Sequence, residues 1–522
     1  MAALLSLTLC SCKMEGLSDT PGKGWDPYED DAAGEMMILG KQLSNPYSVD
    51  NMTNALGSLY PTKADGGVNA TDLYVRFLPA TQDEYDLLDS LGVQMIDHPV
   101  DYEIVRDGDY YHDPSVPEGS ITWQYAVVPT DFEFPSGIKH EILEHCYITE
   151  HRVVTRAGEG IDWEEVEREA FRISGNGDMI PSGGTKASAA AEPSGRITLV
   201  DSRYPDTPEG VKGVRVACNV FVKIGQAYTD SEGYYQIGKS FSSKPRYWLV
   251  FKNRKGYGIG LNLILVGGSS SSLGKHSQEG YDAEITRDSG KTLFSRCVVN
   301  NAVWDYMEQC GNSNASMKAP PSNLRLWIFN KLNSSSTIMM QHGAGVDNTI
   351  IGKYLGDYAV IAKWFLPDIT IGTKGKDDYA SIYSATVHEL AHASHYQQVG
   401  KGYWDKFIAF ILSSFVSSGF VTYGTGGEED AGICEVSEMW AYYMETKLYR
   451  ERYPDSQAIF GTSWWFYPQI FLYLDDRGLS RYQISKALPE GVTDRDLLRE
   501  KLLVLYPEFK TNILLAFNRY YR

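Results

Sequence analysis

Positive charge is scarce in this chain. Its 522 residues include 48 lysines and arginines against 67 aspartates and glutamates, which gives a formal net charge of −19. Such a surface repels phosphate backbones, and no basic run with interleaved aromatic residues is present to offset that repulsion. We therefore expect no nucleic-acid partner.

Cysteine is also sparse, with seven residues in the whole chain. Five lie beyond the first twelve residues; they are far apart and form no Cys-x-x-Cys pair. An odd, scattered set is neither a disulfide scaffold nor a thiolate zinc site. Cys297 and Cys310 bracket a predicted helix that would hold their Cα atoms too far apart for a disulfide. We expect buried thiols at Cys146, Cys218, Cys297, Cys310 and Cys434.

Long apolar runs are missing as well. Phe407–Val421 is an apolar run of fifteen residues interrupted by serines, whereas a transmembrane helix needs about 20 consecutive apolar residues. The run therefore predicts a buried helix. Hydrophobic residues make up 43% and charged residues 22% of the chain, as in soluble globular proteins, and its length predicts about three domains.

The first residues carry an export pattern. Ala2–Leu9 is a short apolar stretch that leads into Leu9-Cys10-Ser11-Cys12. A small residue directly before a cysteine, with leucine two positions before that small residue, resembles the bacterial lipoprotein cleavage site. The resemblance implies a signal at residues 1–12, a lipid on Cys12, a flexible tether at 13–34 and a location at the cell envelope, anchored in the membrane by the lipid.

The remaining sequence predicts a multidomain α+β fold. We expect an N-terminal α+β domain at residues 35–174, because Asp72–Leu78 alternates as a strand while Thr81–Leu91 and Ile161–Ile173 have helical spacing. Residues 175–194 are rich in Gly, Ser, Ala and Pro and predict a linker.

The next segment, 195–275, contains short alternating strands around Asp230-Ser231-Glu232-Gly233, a turn sequence with glycine where positive φ is needed. It resembles the carboxypeptidase regulatory-like, transthyretin-like β-sandwich of exported bacterial proteins. That resemblance implies a spacer or docking module. Residues 285–522 are helix-rich and long enough to form a further domain.

Catalytic chemistry is indicated by His388-Glu389-Leu390-Ala391-His392, within a stretch without Gly or Pro that predicts a helix. Side chains four residues apart project from one face of a helix, one turn apart. Two imidazoles so placed can bind one zinc ion, and Glu389 can reach a water bound by that metal. Glu389 is therefore the candidate general base.

A zinc site of this kind needs a third protein ligand. Glu435–Glu445 predicts a helix, and its Glu438-Met439-Trp440-Ala441 is similar to the ligand-glutamate, two residues, alanine pattern of the gluzincins, a class of HExxH zinc metallopeptidases. Met439 stands where many members have glycine. The resemblance implies a zincin-like catalytic domain at residues 285–522 with Zn²⁺ as cofactor, bound by His388, His392 and Glu438.

Other third ligands stay open on the sequence. Glu435 lies one turn before Glu438 and is a substitute ligand or a carboxylate that orients a histidine. Gly424–Glu428 resembles the aspzincin motif with Glu428 in place of its aspartate ligand. The metzincin pattern does not continue, since His395 and Gln398 stand where its glycine and third histidine belong; we expect His395 to pack or to support a ligand.

Three further features have weaker interpretations. His140 and His145 are five residues apart, too far around a helix to share a metal, and we expect a solvated helix or loop there. The strand Asn323–Phe329 is a candidate edge for binding an extended substrate. Core packing is the favoured role of three tyrosines that are candidates by type for stabilising an oxyanion, namely Tyr423, Tyr467 and Tyr473.

These features predict a zinc-dependent peptidase of the endopeptidase or aminopeptidase type, with a peptide or protein as substrate. The alternative is a non-catalytic surface binding protein whose zincin-like domain is inactive. A third interpretation is that the N-terminal domain blocks a genuine site and acts as a propeptide.

Overall fold

A computed structural model describes residues 36–63, 66–117, 120–151, 160–180, 190–260, 268–311, 316–344, 367–417 and 423–520. This part of the chain is a mixed α/β structure with several sheets and ten helices, most of which lie toward the C-terminus. The predicted signal, Cys12 and the tether at 13–34 lie outside the described residues. So do residues 181–189 of the predicted linker.

The N-terminal part contains the predicted strand Asp72–Leu78 and helices close to the two predicted ones, Gln82–Ser90 and Trp163–Ile173. Its elements are β1 (Ile38–Gln42), α1 (Val49–Leu59), β2 (Asp72–Leu78), α2 (Gln82–Ser90), β3 (Tyr102–Arg106), β4 (Gln124–Pro129), β5 (Lys139–Cys146) and α3 (Trp163–Ile173). Strands β4, β2 and β5 form an antiparallel sheet in that order, and β1 pairs with β3. Helices α2 and α3 start where Thr81 and Asp162 accept backbone N–H bonds, as N-cap residues do.

His140 and His145 lie in strand β5, so our expectation of a helix or loop there is wrong. The register between β5 and β2 shifts at Leu143, and His140 and His145 lie opposite Phe77 and Leu73. Four residues along a strand span about 13 Å, which again prevents the two imidazoles from sharing a metal. The strand pairs with β2 along its whole length, and this pairing across about 65 residues of sequence is invisible to local periodicity.

The middle part forms two four-stranded sheets. Their strands are β6 (Ser194–Leu199), β7 (Glu209–Gly210), β8 (Arg215–Val220), β9 (Lys223–Tyr228), β10 (Tyr234–Gln236), β11 (Arg246–Val250), β13 (Ser270–Lys275) and β14 (Ala283–Ile285). One sheet has the order β10-β6-β14 with β7 on β6, and the other has the order β13-β11-β8-β9. The predicted turn connects β9 to β10, with Gly233 at φ 86° and the Asp230 carboxylate accepting the Glu232 N–H at 2.8 Å.

The C-terminal part contains a third four-stranded sheet with helices against it. Its elements are β12 (Gly258–Gly260), α4 (Lys291–Gln309), β15 (Arg325–Phe329), β16 (Ser336–Thr337), β17 (Ile369–Gly372), α5 (Tyr379–Ser417), α6 (Ala431–Arg452), α7 (Gln469–Asp475), α8 (Arg481–Lys486), α9 (Arg495–Leu505) and α10 (Lys510–Arg519). The sheet order is β12-β15-β17-β16. Strand β12 belongs to the segment 195–275 but pairs in this C-terminal sheet. Strand β14 lies after that segment in sequence but pairs in a sheet of the middle part.

Strand β15 lies inside this sheet, so the expectation that Asn323–Phe329 is an edge strand is wrong. It pairs in parallel with β12 on one side and with β17 on the other. The edge next to the helices is β16, which pairs antiparallel with β17. Thr337 of β16 contacts α5 through its hydroxyl, which donates to the carbonyl oxygen or the carboxylate of Glu389.

Helix α5 changes direction at Gly400, whose φ of 76° and ψ of 179° are not helical. Glycine adopts positive φ without the steric cost that a side chain would impose. Because of this bend, Trp404 and Phe407 return toward the first half of the helix, where their rings lie 5.8 and 5.5 Å from the His392 ring.

A buried ion pair joins the N-terminal part to the middle sheets. Lys223 of β9 is 1% exposed, and its Nζ lies 3.1 Å from Glu167 on α3 and 2.6 Å from Glu150. The Tyr47 and Ser242 hydroxyls also donate to Glu167, at 2.8 and 2.5 Å. Removing one partner of a buried pair leaves an uncompensated charge, so this cluster holds the N-terminal part against β9.

The prediction of buried thiols is confirmed: Cys146, Cys218, Cys297, Cys310 and Cys434 are all buried and unbridged. The apolar run that starts at Phe407 is helical as far as Ser417, and residues 418–422 lie outside the described part of the chain. Among the helices that the structure describes, none is both long enough and apolar enough to cross a membrane.

Candidate metal centre

The predicted helix around the HExxH motif is the first half of α5, and it is buried. His388 and Glu389 are 1% exposed and His392 is 0% exposed. Val387, Leu390, Ala391 and Ala393 around them are also buried. Since a histidine in such apolar surroundings needs a polar partner to offset its burial, the environment calls for groups that pair with the two rings.

Glu438 of α6 supplies that partner, as the sequence predicts. One of its carboxylate oxygens lies 3.5 Å from His388 Nε2 and the other lies 3.4 Å from His392 Nε2. One ligand atom from each of the three residues lies within 4.8 Å of the others, and Glu438 is 0% exposed. The three side chains therefore converge on one point from two packed helices.

The spacing suits a tetrahedral zinc ion. Two donors bound to zinc at about 2.0 to 2.1 Å in tetrahedral geometry lie about 3.4 Å from each other. The two nitrogen-to-oxygen distances, one to each oxygen of Glu438, are close to that edge and longer than a charge-assisted hydrogen bond of about 2.8 Å. Two imidazoles and one carboxylate are also the donor set that zinc takes in hydrolytic sites, so the residues fit the ion.

Without an ion, the carboxylates hold a proton at this site. Burial by itself lowers the pKa of His388, but hydrogen bonding and charge from Glu438 and Glu445 outweigh it and raise that pKa to about 9. Burial lowers the pKa of His392. Burial opposes ionisation of Glu438, yet the two histidines lower its pKa to about 2. A metal ion must therefore displace one proton, from His388.

Glu445 is a part of the centre that the sequence analysis missed. Its carboxylate accepts from His388 Nδ1 at 3.0 Å and from the Ser384 hydroxyl. When a ligand histidine donates the N–H of its other ring nitrogen to a carboxylate, that hydrogen bond fixes the tautomer and the orientation of the ring. Glu445 follows Glu438 by seven residues, two helical turns, so a search for acidic residues on the Glu438 face of α6 would have found it.

Thr337 is the second residue that the sequence analysis missed. Its hydroxyl donates to Glu389 Oε2 at 2.7 Å, although Thr337 and Glu389 are 52 residues apart in sequence. It sits on the edge strand β16 and is 1% exposed. This contact orients the carboxylate of the candidate base, and no local pattern in the sequence points to it.

His395 packs in the core, in agreement with our expectation. Its ring lies 5.3 Å from the Tyr403 ring, and burial lowers the pKa of His395 to about 3. The ring of Tyr442 lies 4.4 Å from His388, edge to face. Together with Trp404 and Phe407 on His392, these rings give the ligand histidines an apolar wall.

The rival third ligands are engaged elsewhere. Glu435 pairs with Arg495 at 3.4 Å, and burial raises its pKa to about 7. Glu428 is exposed and accepts the backbone N–H groups of Thr425 and Gly426 at 2.8 and 2.9 Å. Within the described residues, only His388, His392 and Glu438 form a group able to hold a metal ion.

The three candidate tyrosines all pack against aromatic or cationic side chains. Tyr423 is buried against Trp464 and Phe466. Tyr467 stacks on Tyr520, and Tyr473 lies under the guanidinium of Arg477. Packing, the favoured role, accounts for the contacts of all three.

Comparisons with protein-family models, curated proteins and solved structures found no match to this chain.

Glu445→Gln is expected to weaken zinc binding by about 10- to 100-fold, the usual effect of losing a hydrogen-bond partner of a ligand histidine. Competition with a chromogenic chelator measures the affinity. The matched control is Glu451→Gln on the same helix, whose carboxylate pairs with Arg481 instead. Equal affinities in the two variants would show that Glu445 does not support the ligand.

Metal uptake is expected to release about one proton per ion at pH 7.5, because His388 carries a proton there in the metal-free protein and must lose it to bind metal. The apparent affinity for zinc then rises by about tenfold per pH unit until the pH approaches the pKa of about 9. Calorimetric titration in PIPES and in Tris buffer, which differ in their enthalpy of ionisation, gives the number of protons. Identical binding heats in the two buffers would contradict a protonated His388.

Proposed function

We propose that this protein is a zinc-dependent hydrolase that acts on peptide bonds. The observation that carries the proposal is the convergence of His388, His392 and Glu438, with Glu389 beside them on the same helix. Two histidines and a glutamate leave one position of a tetrahedral zinc ion for water or substrate.

When bound, zinc would act as a Lewis acid that polarises the scissile carbonyl group and makes water acidic at neutral pH. The protein's own part falls to Glu389, which takes a proton from the attacking water and passes it to the leaving amine. Thr337 holds Oε2 of Glu389 at 2.7 Å, so the carboxylate does not need to be ordered when the substrate arrives.

The apolar wall also has a function in this proposal. Tyr442, Trp404 and Phe407 contact the ligand histidines and exclude water from their sides. A dry surrounding strengthens each charge interaction at the centre. The four polar side chains are themselves buried, at 1% exposure or less.

That burial is the observation that favours the alternative function. Closed metal sites are typically structural, whereas catalytic sites keep a position open to solvent. In this alternative the protein is a non-catalytic surface binding protein, and the metal only holds α5 against α6. The hydrolysis assay below separates the two functions.

The location and partners complete the proposal. The Ser11-Cys12 pattern supports a lipid on Cys12 and an anchor at the cell envelope, where peptides or proteins would be the substrates. The middle sheets would serve as a spacer between the anchor and the catalytic part. The acidic net charge of −19 disfavours a nucleic-acid partner.

Glu389→Gln is expected to keep its zinc and to lose peptide hydrolysis by about 100-fold or more, the usual contribution of a general base. The assay incubates the zinc-loaded protein with a mixed peptide library and follows new amino termini by mass spectrometry. Glu428→Gln is the matched control and is expected to retain full activity, because Glu428 lies in its own exposed loop.

Two outcomes would contradict the proposal. Hydrolysis that survives in Glu389→Gln would remove the base from the mechanism. A wild-type protein that binds one zinc ion and cleaves no peptide would favour the non-catalytic function.

A further inference from the structure

A cleft of about 480 Å³ lies away from the metal centre, between the N-terminal part and the β13-β11-β8-β9 sheet. The alternation of side chains along β11 determines which of its residues line the floor of the cleft. Tyr247 and Leu249 of β11 are 0% exposed in the core, so their neighbours Arg246 and Trp248 face the other way. That volume is in the usual range for small-molecule sites.

The cleft is lined by more cations than carboxylates. Lys41, Lys244, Arg246 and Lys275 line it, against Glu103 and Asp178. This excess stands out in a chain whose net charge is −19, since most of its surface has the opposite sign.

Two of these cations oppose each other directly. Arg246 and Lys275 are partners in the antiparallel register of β11 and β13, and like charges opposite each other destabilise a sheet. Burial and the charge of Arg246 lower the pKa of Lys275. An anion between the two side chains would relieve their mutual repulsion.

The lysines of the cleft also have few partners. Arg246 pairs with Asp107 at 2.7 Å. In the part of the chain that the structure describes, no carboxylate oxygen lies within 4.0 Å of the ammonium group of Lys41, Lys244 or Lys275. Three exposed lysines thus line the cleft with no carboxylate within that distance of their ammonium groups.

We propose that this cleft binds a small oxyanion ligand bearing carboxylate or phosphate groups. The lysine ammonium groups supply charge-assisted hydrogen bonds to its oxygens. His98 and Trp248, whose rings lie 5.3 Å apart, form a less polar wall for the rest of the molecule. The ligand joins the N-terminal part to the sheet, because Lys41 comes from β1 and Lys275 from β13.

The test is calorimetric titration of the zinc-loaded full chain with two probes, succinate and inorganic phosphate, at ionic strength held constant with sodium chloride. The variant is the double substitution Lys244→Gln and Lys275→Gln. The matched control is Lys374→Gln with Lys510→Gln, which removes the same charge from two exposed lysines outside the cleft. The probes distinguish a carboxylate ligand from a phosphate ligand.

Saturable binding of one succinate or one phosphate per chain is expected in the wild type and in the control. In the cleft variant the dissociation constant should rise by about tenfold or more, as expected for losing charged hydrogen bonds. Zinc content and peptide hydrolysis should stay unchanged in both variants, so this result is independent of the proposed peptidase function. Absence of saturable binding of either probe, or equal affinity in the cleft variant, would overturn the proposal.

Discussion

The burial of charge between α5 and α6 is the constraint on which the candidate site depends. Glu438 and Glu445 place two carboxylates against the imidazoles of His388 and His392, all at 1% exposure or less. Charges removed from water cost several kcal/mol each unless opposite charge compensates them. A proton on His388 leaves these four groups with one excess negative charge, whereas a divalent cation in its place neutralises both carboxylates. The charge count of these four groups is thus compatible with a divalent cation.

The surrounding fold holds the two helices in the arrangement that this charge balance needs. The bend at Gly400 brings Trp404 and Phe407 onto His392. At its far end, α6 is fixed by Arg452, which pairs with Glu209 at 2.9 Å and lies 4.0 Å from the ring of Tyr379, the first residue of α5. The same interactions therefore fix the two helices that carry the candidate ligands and connect them to the middle sheets.

Local patterns in the sequence predict the features that depend on near neighbours in the chain. The spacing of His388 and His392, the helix that carries Glu438, and the strand Asp72–Leu78 all follow from periodicity. The contact between Thr337 and Glu389 does not follow from periodicity, because the two residues are 52 positions apart and a hydroxyl on a two-residue strand has no distinctive pattern. The position of β15 inside its sheet was missed for a related reason, since β12, which covers its edge, has only three residues. Pairings between distant short strands are set by tertiary packing.

The measurement that most directly tests the account is metal content by mass spectrometry on the purified wild type and on Glu438→Ala, each after exposure to zinc and removal of excess. Glu438→Ala removes the carboxylate that joins the two helices, and circular dichroism on both proteins checks that the variant is folded. The account predicts about one zinc ion per wild-type chain and none in the folded variant. A wild type that holds no zinc under these conditions, or a folded variant that keeps it, would contradict the assignment of this centre.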